Sequence, residues 1–122
     1  MHVNKGGYIM NLIKSFTDTD DFNNYIIADK YNTNNGTFNI IRRYLGESEY
    51  NAMGCNVEIS VNSPDISTAY ILKAIYGLLE NTGDTECLQY DAYGVSFSDY
   101  STPTHTNNII DKIVSVIGAL EV

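Results

Sequence analysis

The stretch from Ser63 to Glu80 constrains the fold more than any other part of the chain. Ser63 can accept from the first free N–H groups of a helix. Pro64 suits the first helical position, and Asp65 suits the positive end of the helix dipole. Asn81 to Gly83 supplies a stop. At about 100° per residue, Ile71, Leu72, Ala74, Ile75, Tyr76, Leu78 and Leu79 spread over most of the circumference, and Lys73, Gly77 and Glu80 leave only a narrow polar strip. A helix this apolar wants cover on nearly all sides, so it is the expected core helix. A sheet would cover one side and a second helix another. The third flank, around Ile71 and Leu78, is then a candidate homodimer seam.

The rest of the chain reads as follows. Residues 8–16 suit a short strand or a lead-in. Thr17 to Phe22 reads as a helix start, a Thr or Asp cap followed by acids, with a short helix over 19–28 that carries Phe22, Tyr25 and Ile26 on one face. For the end of that segment the favoured reading is a hairpin, in which Tyr25 to Tyr31 is a strand that leads through the Asn35-Gly36 turn into a second strand over 37–45, and the point where helix gives way to strand is open. Gly46 to Asn51 is an acidic loop. Residues 52–62 alternate cleanly, with Cys55, Val57, Ile59 and Val61 on one side and Asn56, Glu58, Ser60 and Asn62 on the other, a half-buried strand with a wet face. Glu86 to Tyr100 reads as one strand with a bulge or bend near Gly94, where the parity of the heavy side chains shifts. A last helix over about 105–120 carries Ile109, Ile110, Ile113, Val116, Ile117 and Leu120 as its apolar stripe.

The expectation is one domain over residues 1–122, of the α+β class. It is a two-layer sandwich in the order (α)βββαβα, with a mainly antiparallel sheet of about four strands and two main helices on one face. Residues 1–9 read as a disordered extension ahead of Met10. No run of about 18 apolar residues spans a membrane, and the N-terminus lacks the pattern of a signal peptide, so a cytoplasmic location is expected. Cys55 and Cys87 do not make a disulfide framework and read as small buried hydrophobes on strands.

Charge narrows the function. The chain holds 15 acids against 7 bases, a net −8, and residues 46–104 carry nine of the acids with Lys73 as the single base. Such a field repels nucleic acid and anionic membrane and steers toward basic surfaces. Direct nucleic-acid binding would need Lys and Arg at the phosphates. The chain also has ten tyrosines and no tryptophan, and tyrosine is enriched where an apolar body meets water at an interface.

Candidate chemistry is sparse. Asp18-Thr19-Asp20-Asp21 could bind a divalent cation, but reads better as a helix N-terminus. His105 lies at a helix start without a nucleophile or acid placed beside it by the sequence. No phosphate-cradling, nucleophile-elbow or metal-ligand motif occurs, so no catalytic residue, metal or cofactor is assigned. Arg42 and Arg43 point to opposite faces of a strand, and either could hold an anionic small ligand such as a nucleotide.

The expected function is therefore that of a small acidic non-enzymatic binding protein with a basic protein as partner. The leading form is a phage or mobile-element inhibitor, an anti-CRISPR-like nucleic-acid mimic that blocks the nucleic-acid-binding surface of a defence nuclease. The expected contact surface comprises Glu47, Glu49, Tyr50, Asp84, Glu86, Tyr90, Asp91, Tyr93, Asp99 and Tyr100. The alternatives are a virion or tail subunit, a toxin-neutralising immunity protein, and a sequestering protein for a nucleotide-type ligand.

Overall fold

The computed structural model describes residues 2–3 and 9–119, with side chains from Ser15 onward. The expected extension at 1–9 lies outside the described residues, apart from the two-residue strand β1 (His2–Val3) and the start of β2 (Ile9–Thr19). There follow β3 (Tyr25–Thr33), β4 (Gly36–Tyr44), β5 (Cys55–Val61), α1 (Ile66–Thr82), β6 (Glu86–Asp91), β7 (Gly94–Asp99) and α2 (Pro103–Ala119). The strands form one antiparallel sheet in the order β1-β2-β3-β4-β5-β7-β6. The class is α+β, as expected. Among the described residues the sheet holds seven strands, counting the short β1, where about four were expected.

Two corrections account for most of that difference. First, no helix forms over 19–28. β2 runs on to Thr19, and residues 20–24 make a tight reversal into β3. The Asp20 carboxylate accepts the N–H groups of Phe22 (2.9 Å) and Asn24 (3.0 Å), and Asn23 takes φ 61°, a conformation that Asn tolerates better than most residues. Second, residues 86–100 are two strands. Asp91 accepts the N–H groups of Tyr93 (2.8 Å) and Gly94 (3.1 Å) and closes a hairpin, so the parity shift near Gly94 marks a turn. The bulge lies earlier, between Glu86 and Gln89, where Cys87 has φ 55°. Cys87 is exposed and only Cys55 is buried. Burial pushes the Cys55 thiol up to about 12, which leaves it inert.

One face of the sheet packs against both helices. Cross-strand register brings Tyr44 beside Cys55, Arg42 beside Val57, Ile40 beside Ile59 and Phe38 beside Val61, with Val95 and Phe97 continuing the layer on β7. Ile71, Leu72, Ile75 and Leu79 of α1 and Ile109, Ile110, Ile113 and Ile117 of α2 close it. Each fully buried aliphatic side chain contributes about 1.5–3 kcal/mol.

The start of α1 differs by two residues from the sequence reading. Asp65 is the cap: its carboxylate accepts the Thr68 N–H (2.9 Å), while its own N–H donates to Thr68 Oγ1 (2.8 Å). Pro64 therefore precedes the cap. Gly83, at φ 65°, ends the helix and donates to the Leu79 carbonyl (3.3 Å). Asp65→Ala removes one half of this reciprocal pair and is expected to cost about 1 kcal/mol. Urea unfolding checks it: the midpoint falls while the slope is unchanged.

Candidate functional site

Antiparallel strands send their connections to two ends of the sheet. At one end lie the β2–β3 turn (20–24), the β4–β5 loop (45–54), the α1–β6 loop (83–85) and the β7–α2 loop (100–102). At the other lie the β3–β4 turn, the β5–α1 loop and the β6–β7 turn. The contact surface expected from sequence is divided by this arrangement. Glu47, Glu49, Tyr50, Asp84, Glu86, Asp99 and Tyr100 fall at the first end. Tyr90, Asp91 and Tyr93 fall at or near the second.

Contacts link the first end from one side of the sheet to the other. Asp20 in the β2–β3 turn pairs with Arg43 of β4 (3.1 Å). The Tyr25 N–H donates to the Gly46 carbonyl (2.9 Å) and ties β3 to the β4–β5 loop. Glu49 in that loop accepts from Asn107 of α2 (3.2 Å). Gly54 lies so close to Tyr100 that a Cβ there would approach its ring to 2.7 Å. From the β2–β3 turn to β6 spans five strand spacings, about 24 Å.

Asp18, Asp21, Glu47, Asp84 and Glu86 are exposed along this rim. The nearest guanidinium groups are engaged: Arg43 by Asp20 (3.1 Å), and Arg42, further in, by Asp29 (3.2 Å). Hydrogen bonds to the Asn24 and Phe22 N–H groups, with Arg43 adding to them, hold the Asp20 carboxyl below its usual range. Between the carboxylates stand large exposed side chains: Tyr50 at 88%, Phe22 at 86%, Met53 at 84%, and Tyr100. Acids interleaved with open aromatic and thioether surface suit a protein contact with a charged rim.

Asp99 is part of the support for this end and not of its surface. It is 2% exposed. It accepts from Thr106 Oγ1 (2.7 Å), Ser101 Oγ (2.7 Å) and the Ser101 N–H (3.1 Å), and lies 2.8 Å from His105 Nδ1. His105 Nε2 faces Asp84 at 3.8 Å. The imidazole thus braces the β7–α2 loop against the α1–β6 loop. Burial pushes the Asp99 carboxyl up, but the hydrogen bonds from Thr106, Ser101 and His105 outweigh it and hold it below the usual value. The hydrogen bond to Asp99 holds the His105 pKa above its usual value, against a smaller opposing effect of burial and with Asp84 assisting. Ser101 Oγ lies 2.8 Å from His105 Nδ1, the nitrogen that also meets Asp99. In serine-nucleophile chemistry the hydroxyl and the carboxylate meet opposite nitrogens of the ring; here both meet Nδ1, and the trio ties the end of β7 to the first turn of α2. Among the described residues no group of three or more His, Cys, Asp or Glu side chains could hold a metal ion.

The two arginines do face opposite ways. Arg42 sits on the helix side, bonded to Asp29, Asn107 Oδ1 (3.2 Å) and, more weakly, the Tyr44 hydroxyl (3.4 Å). Tyr44 also donates to Asn107, and Ser15 to Asp29. Burial raises the Tyr44 pKa, so this phenol stays neutral. Both guanidinium groups have an internal carboxylate partner, Arg42 nearly buried and Arg43 still 46% exposed. The expected seam residues also separate: Ile71 is 0% exposed inside the core, whereas Leu78 is half-buried. The flank at Ile71 is therefore covered within the chain.

Asp21, Phe22 and Met53 belong to the rim but were not among the residues expected from sequence. The signal for the first two was the acid run at 18–21, which read as a helix cap and not as a loop tip. Met53 was read as part of a strand; β5 begins only at Cys55. Among the described residues no helix is long and apolar enough to cross a membrane. Comparison of the chain with protein-family models, with curated proteins and with solved structures finds no match.

Proposed function

We propose that this chain is a non-enzymatic binding protein that docks through its acidic end onto a basic surface of another protein, where its carboxylates stand in for phosphates. One observation carries the reading: loops from four separate parts of the chain bring exposed carboxylates and exposed Tyr50, Phe22, Met53 and Tyr100 to one end, about 24 Å wide, while Arg42 and Arg43 are neutralised by Asp29 and Asp20. In a phage or mobile element, the fitting partner is a nuclease of host defence whose nucleic-acid channel is lined with Lys and Arg. A toxin-neutralising immunity protein would use the same chemistry on a basic toxin.

The test uses the tagged full chain to capture its partner from a host lysate, followed by affinity measurement with the purified partner. Asp21, Glu47 and Glu86 are exposed, so the triple variant Asp21→Asn, Glu47→Gln, Glu86→Gln keeps the fold. It is expected to weaken binding about tenfold, roughly 0.5 kcal/mol per charge. Raising salt from about 0.1 M to about 1 M shortens the Debye length from about 10 to about 3 Å and weakens the wild-type complex further. Equal affinity for wild type and variant at about 0.1 M salt, or a wild-type affinity that does not fall at about 1 M, sinks the mimicry reading.

A further inference from the structure

The sheet face turned away from the helices holds a groove at its β5–β7–β6 side, about 450 Å³ in volume. Register explains its shape. Glu58, Ser96 and Gln89 stand side by side in one cross-strand row, and Ser60, Gly94 and Asp91 in the next. Gly94 contributes no side chain to its row, and none would fit: a Cβ there would lie 2.2 Å from the Ile59 carbonyl oxygen. The gap between Ser60 and Asp91 is the trough. Tyr93, 67% exposed, stands at the β6–β7 turn and lines the groove. The two N–H groups bonded to Asp91 hold that turn in place.

Elsewhere on this face several polar side chains pair with one another. Ser98 donates to Asn56 (2.8 Å), Asn39 to Asn62 (2.8 Å), and Arg43 pairs with Asp20 (3.1 Å). Inside the groove they do not. Among the described residues the side chains of Glu58, Ser60, Gln89 and Ser96 and the Tyr93 hydroxyl have no hydrogen-bond or ionic partner. Two carboxylates line the groove, Glu58 and Asp91, and no cation does. A concave site with negative charge, side chains free to bond a ligand and an open tyrosine ring at its edge suits a planar cation.

We infer that this groove binds a guanidinium cation. A planar guanidinium can present paired N–H donors to the Glu58 carboxylate, reach the Ser96, Ser60 and Gln89 oxygens with the others, and stack on the Tyr93 ring. The groove opens away from the helices and toward the opposite end from the acidic rim, so this inference does not rest on the function proposed above.

The experiment titrates the isotope-labelled full chain by NMR with agmatine, with the blocked peptide acetyl-Gly-Arg-Gly-amide, and with the same peptide carrying citrulline, the neutral isostere of arginine. Saturable shifts at Glu58, Gln89 and Ser96 are expected, with a Kd on the order of 1–10 mM for so small a ligand. Glu58→Gln and Tyr93→Ala should each weaken binding about fivefold or more, while Asp111→Asn, exposed on α2 on the far side of the sheet, should leave it unchanged. Binding of agmatine and peptide alike assigns the site to the guanidinium whatever carries it. Binding of the peptide alone assigns it to an arginine side chain of a protein partner, and binding of agmatine alone to a free small cation. No saturable shift with either ligand, equal binding of the citrulline peptide, or unchanged affinity in Glu58→Gln overturns the inference.

Discussion

Ile71→Asp is expected to leave no folded protein at neutral pH, while Leu78→Asp is expected to fold. The two residues lie two turns apart on α1 and were a single candidate seam in the sequence. The structure separates them. Ile71 is 0% exposed and belongs to the cluster with Leu72, Ile75 and Ile113. A carboxylate there loses the burial of an isoleucine, about 2–3 kcal/mol, and adds the several kcal/mol of burying an unpaired charge. The sum is comparable to the whole stability of a domain this size, about 5–15 kcal/mol. Leu78 is half-buried and only flanks the cluster, so a carboxylate at that position can reach water and costs about 1–2 kcal/mol. Far-UV circular dichroism reads the first effect and urea unfolding the second. Light scattering on Leu78→Asp reads self-association: if copies pair along this flank, the variant shifts to monomer. A folded Ile71→Asp variant would mean that α1 is not the core helix.

How much of this was legible in the sequence depended on whether the signal was local. The strand at Cys55 to Val61 and the stripe of α2 were readable because a period of two or 3.6 residues needs no knowledge of neighbours. The acids at 18–21 misled for a physical reason. A carboxylate accepting free N–H groups marks a chain reversal as well as a helix start, and Asp20 does the former. The sequence reading puts the cap at Ser63 and Asp65 in the first turn; the reciprocal pair of Asp65 with Thr68, three residues on, makes Asp65 the cap instead. The parity shift between Tyr90 and Tyr93 was seen but fitted a bulge as well as a turn.

The surface was harder to read, because it depends on connectivity. β7 inserts between β5 and β6, so the chain leaves β5, crosses through α1 and returns one strand further out. That step takes Asp84 and Glu86 to the end shared with Glu47 and sends Asp91 to the other. Acids 37 residues apart in sequence, at 47 and 84, share an end, while Glu86 and Asp91, five apart, do not. The fate of Arg42 was equally hidden: its partners Asp29 and Asn107 lie on a neighbouring strand and on the last helix.

Asp99→Ala is expected to cost about 2–4 kcal/mol near pH 6 and to reshape the dependence of stability on pH. Asp99 joins the end of β7 to the first turn of α2, and its loss leaves the donors of Ser101, Thr106 and His105 with one acceptor fewer. Two limbs of the pH profile follow from the shifts. Asp99 has a folded pKa below its usual value of about 3.9, so its contribution is present above that value and is lost as pH falls through the folded pKa. His105 has a folded pKa above its usual value of about 6.5, so its contribution is complete below pH 6.5 and is lost as pH rises through the folded pKa. Together they place their joint maximum between about pH 4 and 6.5. Because the hydrogen bond to Asp99 is the main cause of the His105 shift, Asp99→Ala removes both limbs, whereas His105→Ala removes chiefly the alkaline one. NMR titration of the His105 ring gives the sharpest reading: its pKa moves down in Asp99→Ala, and in Asp84→Asn by a smaller step. A His105 pKa unmoved by Asp99→Ala would show that the imidazole does not depend on Asp99, and the brace between the two loops would have to rest on Asp84 alone.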